Sequence, residues 1–259
     1  MPTALITGAT AGIGAAFAHR LASDGFDLVL LARDADRLDG TAGELRDAYA
    51  VRTETLVADL ATEEGIGAAE ERCRAGVDLL VNNAGFGRKG TFLDVPVTDE
   101  AARLKVHCEA VLRLTHAALP GMLERRRGAV VNVSSVAAFA TPGTYGASKA
   151  WVVSFSQGVA RDIAGRPGGD RVRVMALCPG LVRTEFHERA GLDVSEVPGF
   201  MWLDRGEVVD AALRDLRRGV QVSVPGALYK AIAGLARVVP RDWVGRMASN
   251  ARRRYGPSD

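Results

Sequence analysis

The chain has 259 residues, with 33 Lys and Arg against 31 Asp and Glu, for a formal charge of +2. A hydrophobic content of 47% is ample for a full core, and 25% charged with 6% aromatic residues excludes wholesale disorder. The absence of any run near ~18 uncharged apolar residues excludes a spanning helix, and the near-neutral balance gives no reason to expect nucleic acid as a partner.

The N-terminal residues Met1-Pro2-Thr3-Ala4 lack a basic leader region and run straight into an apolar strand at 4–7. The turn that follows, Thr7-Gly8-Ala9-Thr10-Ala11-Gly12-Ile13-Gly14, opens a helical pattern at 13–24. A glycine turn between strand and helix aims backbone N–H groups at a pyrophosphate, and the helix dipole adds positive potential. Gly8 permits the sharp turn, Gly12 the approach of phosphate and Gly14 the packing of helix on strand. The second strand, 27–32, ends in Ala32-Arg33-Asp34. An acid there accepts from a ribose 2′-OH, whereas an arginine meets the 2′-phosphate of NADP. Arg33 favours NADP(H) over NAD(H), with Arg37 in reach of the same point. The competing reading is a surface arginine followed by Asp34 as a helix cap.

Helix 35–50, strand 53–58, helix 63–75, strand 79–82, helix 98–124, strand 129–134, helix 146–164 and strand 172–177 continue the alternation, and helix 206–218 precedes a last strand at 220–224. The strands are almost wholly apolar, as in strands covered on both faces. Such βαβ repetition predicts one α/β domain built on a doubly wound parallel sheet with helices on both sides. Residues 185–205 stand outside the rhythm as a candidate lid. Residues 226–259 form an apolar, then arginine-rich, helical tail. Its readings are a solvated capping helix, a subunit contact or a contact with an anionic surface.

Tyr145 and Lys149 are four apart at the start of a helix, so phenol and ammonium share one face. A free tyrosine titrates near ~10, and lowering that by ~3 units takes about 4 kcal/mol of differential interaction, which a nearby cation favours. Ser134 and Ser135 close a strand ten residues upstream, where a hydroxyl can donate to a carbonyl oxygen. Cys73, Cys108 and Cys178 are far apart, and His19, His107, His116 and His187 show no ligand spacing. The pattern predicts no metal site, no disulfide framework and a cytoplasmic protein.

Together these residues resemble the short-chain dehydrogenase/reductase family in its single-domain branch, over residues 3–225. The resemblance implies a three-layer Rossmann-type fold, a small-molecule carbonyl or alcohol substrate, and a homodimer or homotetramer. It places Thr10 and Ile13 with the glycine turn. It also implies Asp59 and Leu60 beside the adenine, the strand end Asn83-Ala84-Gly85 along the cofactor, and Ser135, Tyr145 and Lys149 as catalytic residues. Tyr145 and Lys149 then also touch the cofactor, as do Pro179, Gly180, Val182 and Thr184 near the nicotinamide. Two departures stand out. His107 occupies the place of the family's relay asparagine, and its role as relay, packed residue or proton carrier stays open. The serine-to-tyrosine spacing is short, leaving Ser134 beside the preferred Ser135.

The implied reaction is hydride transfer between NADP(H) and a carbonyl or secondary alcohol. The competing function is a non-catalytic NADP-binding redox sensor or scaffold. Epimerase or dehydratase chemistry on the same fold is a third. Phe186, Leu192, Phe200, Met201, Trp202 and Leu203 suit an apolar portion of the substrate, and equally a buried core or a subunit contact.

Overall fold

The computed structural model describes residues 1–140 and 143–238. Seven strands form one parallel sheet: β1 (Thr3–Thr7), β2 (Asp27–Ala32), β3 (Thr53–Val57), β4 (Leu79–Asn82), β5 (Gly128–Val133), β6 (Val172–Leu177) and β7 (Val222–Ser223), in the order β3-β2-β1-β4-β5-β6-β7. Every pairing is parallel, and β1 pairs with β2 from Thr3 opposite Asp27 to Thr7 opposite Leu31. Because the chain winds outward from β1 in both directions, the carboxyl ends of β1 and β4 diverge into a crevice, where ligands of open α/β sheets bind.

The uninterrupted apolar strands conceal a period of two. Ala4, Ile6, Leu28, Leu30, Val81 and Val131 face one core, filled by Phe17, Leu21, Leu38, Leu45 and Val209. These come from α1 (Gly12–Ser23), α2 (Ala35–Tyr49) and α9 (Arg205–Arg217). Leu5, Val29, Leu31, Leu80 and Val130 face the other core, with Ile66, Leu114, Met122 and Ile163. Its helices are α3 (Glu63–Arg74), α5 (Ala110–Glu124) and α7 (Gly143–Ala164), and α4 (Val97–Leu104) precedes α5. Three short or capping helices complete the chain order: α6 (Ala137–Ala140), α8 (Phe186–Arg189) and α10 (Ala227–Val238).

The long helix predicted over 98–124 is broken by a π turn at Lys105–Glu109 between α4 and α5. The predicted strand at 220–224 shrinks to two residues at the sheet edge. The apolar first part of the tail is α10, whose Tyr229 and Ala233 pack with Ala176 of β6 and with Val224, just past β7, in a third cluster. Its arginine-rich remainder lies outside the described residues. Among the described residues, no helix is long and apolar enough to cross a membrane.

Candidate active site

Gly8 and Gly12 have φ of +67° and +56°, left-handed backbone that a Cβ disfavours. A Cβ at Gly14 would overlap the Gly8 carbonyl oxygen, so α1 lies tight on the turn. The start of α1 differs from its neighbours. Asp34, Thr62 and Asp204 accept from first-turn amides of α2, α3 and α9, whereas Ala11 before α1 offers no side-chain acceptor and the first turn of α1 carries no acid. The first amides of α1 remain available to an anionic ligand. Thr7, apart from its place in the motif, proves to be the fastening beneath the turn. Its Oγ1 accepts from the amides of Asn83 and Ala84, both at 2.9 Å. Asn83 Nδ2 returns bonds to the carbonyls of Thr7 and Gly8 at 2.9 and 3.2 Å.

A groove of about 700 Å³ runs along this turn, lined by Gly8, Thr10, Gly12, Ile13, Arg33, Asp59, Leu60, Asn83, Ala84, Gly85 and Thr184. Ala58, Val106, Glu185 and Arg189 also line it, though no motif marked them. Gly14 lies behind the turn and does not line the groove, because its place is taken by packing. At the end of β2 Arg33 and Asp34 both line the groove, and the Asp34 carboxylate caps α2, accepting from the Arg37 amide at 3.1 Å. The capping reading of Asp34 is observed, and Arg33 is exposed at the groove beside it. Arg37 donates to the Thr10 carbonyl at 3.4 Å and pairs with Glu185 at 3.2 Å. An anion-ready turn and a long groove fit a dinucleotide.

A second cavity of about 670 Å³ adjoins the groove and shares Ile13, Asn83, Gly85, Thr184 and Phe186 with it. Ser135, Tyr145, Lys149, Pro179, Gly180 and Val182 line this cavity rather than the groove. Helix α7 starts at Gly143, three residues before its predicted start, so Tyr145 is already inside the first turn. Ser134 donates to the Lys149 carbonyl at 2.7 Å and is buried. Ser135 bonds Tyr145 instead, which separates the two serines by geometry. Lys149, 6% exposed, donates from Nζ to the Val133 carbonyl at 3.1 Å and lies 5.8 Å from the Tyr145 ring centre.

The electrostatics differ from the expectation of a phenol made acidic by Lys149. Burial pushes the Tyr145 phenol up to about 12, and the groups opposing this are Ser135 through its hydrogen bond and Arg103 through its charge. Burial also brings Lys149 down to about 8. Desolvation wins at both groups because each charged form faces a wall of low polarity. A phenol that keeps its proton is the form a general acid requires.

His107 is buried in the π turn, between Phe86 and Ser148. Of the apolar residues at 185–205, Phe186 and Leu192 line the cavity, and the Phe186 ring lies 6.1 Å from that of Tyr145. Leu203 packs on the core, Trp202 stacks edge-on with His187 at 5.1 Å, and Phe200 is exposed. Met201 is tied down through its carbonyl, which accepts from the Tyr229 hydroxyl at 2.7 Å. The same hydroxyl accepts from the Leu181 amide at 3.1 Å. Nothing in the sequence marked Tyr229, since it belongs to no motif and meets the site only through the fold. The same holds for the buried chain behind the cavity. Asn82 donates to Asn132 at 2.9 Å, and Asn132 to Ser156 at 3.0 Å.

Comparison with known proteins gives a short-chain dehydrogenase family match over residues 2–194. A very-long-chain 3-oxoacyl-CoA reductase of Anas platyrhynchos is 40% identical over 168 residues, covering 60% of this chain and 53% of that protein, so the chain spans about half that relative's length. Among solved structures, a short-chain dehydrogenase from Sphingobium yanoikuyae in complex with NADPH superposes with a TM-score of 0.81 at 37% identity, covering 93% of this chain and 97% of that one. A bulky-bulky ketone specific alcohol dehydrogenase from Comamonas testosteroni gives 0.77 at 32% identity, covering 93% and 96%.

Proposed function

The chain belongs to the short-chain dehydrogenase family and is an NAD(P)-dependent oxidoreductase, and from that premise we propose that it uses NADP(H) to interconvert a carbonyl and a secondary alcohol on a substrate with a large apolar part. The observation carrying the reaction is the meeting of Ser135, Tyr145 and Lys149 in a cavity that adjoins the dinucleotide groove. The cofactor preference is supported by Arg33 and Arg37 where an acid would select NAD(H). The NADPH-bound relative points the same way. An apolar substrate is supported by Phe92, Phe186 and Leu192 on the cavity wall and by relatives named for bulky ketones and long acyl chains.

The residues of the groove and the adjoining cavity would hold NADP(H), which would supply or accept the hydride. Ser135 donates a hydrogen bond to the carbonyl oxygen, and Tyr145, still protonated, gives that oxygen its proton in the reducing direction. Lys149 anchors the first turns of α7 to β5 and presents its remaining donors toward the cavity. Residues 185–205 act as the lid over the substrate, with Phe186 closing against Tyr145. The reading includes a cytoplasmic homo-oligomer, in keeping with free thiols at Cys73 and Cys108 and exposed Leu104 and Leu112 on α4 and α5.

The test is Tyr145→Phe. Removing a general acid costs ~10²–10⁴-fold in turnover, followed as NADPH consumption against bulky ketones. The dissociation constant for NADPH should stay within about twofold of the wild type and be about tenfold or more below that for NADH, as charge-assisted contacts to a phosphate imply. A Tyr145→Phe enzyme as active as the wild type sinks the mechanism, and equal affinities sink the cofactor preference.

A further inference from the structure

The π turn at Lys105–Glu109 inserts an extra residue into the helical ladder, a feature frequent at functional sites. At its centre His107 is 1% exposed and both ring nitrogens are engaged. The Phe86 amide donates to Nε2 at 3.1 Å, and Nδ1 lies 3.0 Å from Ser148 Oγ. An amide has only a proton to offer, so Nε2 carries none, and the neutral ring holds its proton on Nδ1. Ser148 spends its single proton on the Tyr145 carbonyl at 2.8 Å, which leaves Oγ free to accept from Nδ1. Each donor along Phe86 amide, His107, Ser148 and Tyr145 carbonyl thus meets one acceptor, with no vacant position for a transferable proton.

The surroundings oppose a charged ring. Lys149 on α7 and Arg103 on α4 both act against it, Glu100 neutralises Arg103 at 2.8 Å, and the Tyr145 ring stands edge-on at 5.7 Å. The adjacent Cys108 thiol is held protonated by burial. The segment after β4 also closes tightly on the ring: a Cβ at Gly85 would lie 2.9 Å from Nε2.

We infer that His107 is a positioning residue, a permanently neutral imidazole that splints the segment Gly85–Phe86 beside the groove to the first turn of α7, and so sets where Tyr145 stands relative to the cofactor. The inference rests on the reading of Tyr145 as proton donor. It excludes His107 as a proton carrier, because a carrier needs a nitrogen that can exchange with substrate or water.

The experiment has two arms. In the unaltered protein, imidazole ¹⁵N spectra, with the four histidines distinguished by substitution, should show His107 as the Nδ1–H tautomer without titration between about pH 5 and 8, where a free imidazole changes charge. An Nε2–H tautomer, or titration near 6.5, overturns the inference. In the second arm, His107→Phe removes both bonds and should lower kcat by about tenfold or more while the NADPH dissociation constant stays within about twofold, as loss of alignment predicts. His107→Gln retains an acceptor for Phe86 and should recover part of kcat. A limb of the kcat pH profile that vanishes in His107→Gln identifies a proton carrier and overturns the proposal. If His107→Phe does not fold, the spectra and the Gln variant decide. If the wild type reduces no ketone, the reaction reading fails while the tautomer result still judges the splint.

Discussion

A lysine that is buried against a strand carbonyl carries an electrostatic cost that shows up in stability. Lys149 titrates at about 8 in the fold against 10.5 when free, because burial disfavours the ammonium. The folded state therefore binds this proton more weakly than the unfolded chain does. The penalty is fully present below about pH 8, shrinks as the pH rises toward 10.5, and is absent above it. A shift of that size corresponds to roughly 3 kcal/mol, from which the lost bond to Val133 subtracts about 1. Lys149→Met should accordingly be more stable than the wild type at pH 7 by about 2 kcal/mol, with the gain disappearing as the pH approaches 10. Denaturant midpoints across that range check it, and a constant difference with pH contradicts the assignment. At this scale the sequence showed that Tyr145 and Lys149 share a face, but not the sign of the tyrosine's shift, since desolvation depends on what the fold packs around the phenol.

Elements bring together what spacing cannot. Helix α7 begins early enough to hold Tyr145 in its first turn, and the π turn rotates one helical segment so that His107 points at it. Neither feature has a signature in residue periodicity, because a single inserted residue is smaller than the uncertainty of a helical repeat. Helix α10 acts similarly on the lid. Its Tyr229 hydroxyl joins the Leu181 amide to the Met201 carbonyl, bridging the Pro179–Gly180 turn and the segment before α9. Tyr229→Phe leaves both groups without that partner, at about 1–3 kcal/mol for a buried unmet group. The variant should lose roughly that much stability and raise the KM for ketone severalfold, with NADPH affinity unchanged. Steady-state kinetics together with direct NADPH titration separate these effects; an unchanged ketone KM removes Tyr229 from the lid.

Across the molecule, the sheet is held at its middle by polar groups as well as apolar ones. Asn82 on β4 and Asn132 on β5 are buried between α5 and α7, where Thr115 and Ser156 complete their bonds. Replacing one member strands the others in a region of low polarity. Asn132→Ala should destabilise by about 2–4 kcal/mol, counting two unmet partners, and should slow turnover through displacement of α7 without touching substrate. Urea unfolding measures the first effect, and a loss under about 0.5 kcal/mol would show that the network is dispensable.

The alternation of apolar strands with amphipathic helices was enough to specify a doubly wound parallel sheet, because strands covered on both faces must be apolar throughout and parallel strands require crossovers. The glycine turn, Asn83-Ala84-Gly85 and the Tyr145–Lys149 pair were equally legible, since each is a local pattern tied to a local geometry. Tertiary structure alone decided which serine faces the phenol, that Gly14 packs instead of lining the groove, that His107 has no free nitrogen, and that burial outweighs Ser135 and Arg103 at Tyr145. Those outcomes are set by contacts between residues tens of positions apart, and by how much water the closed chain excludes. Neither is written in any one segment of it.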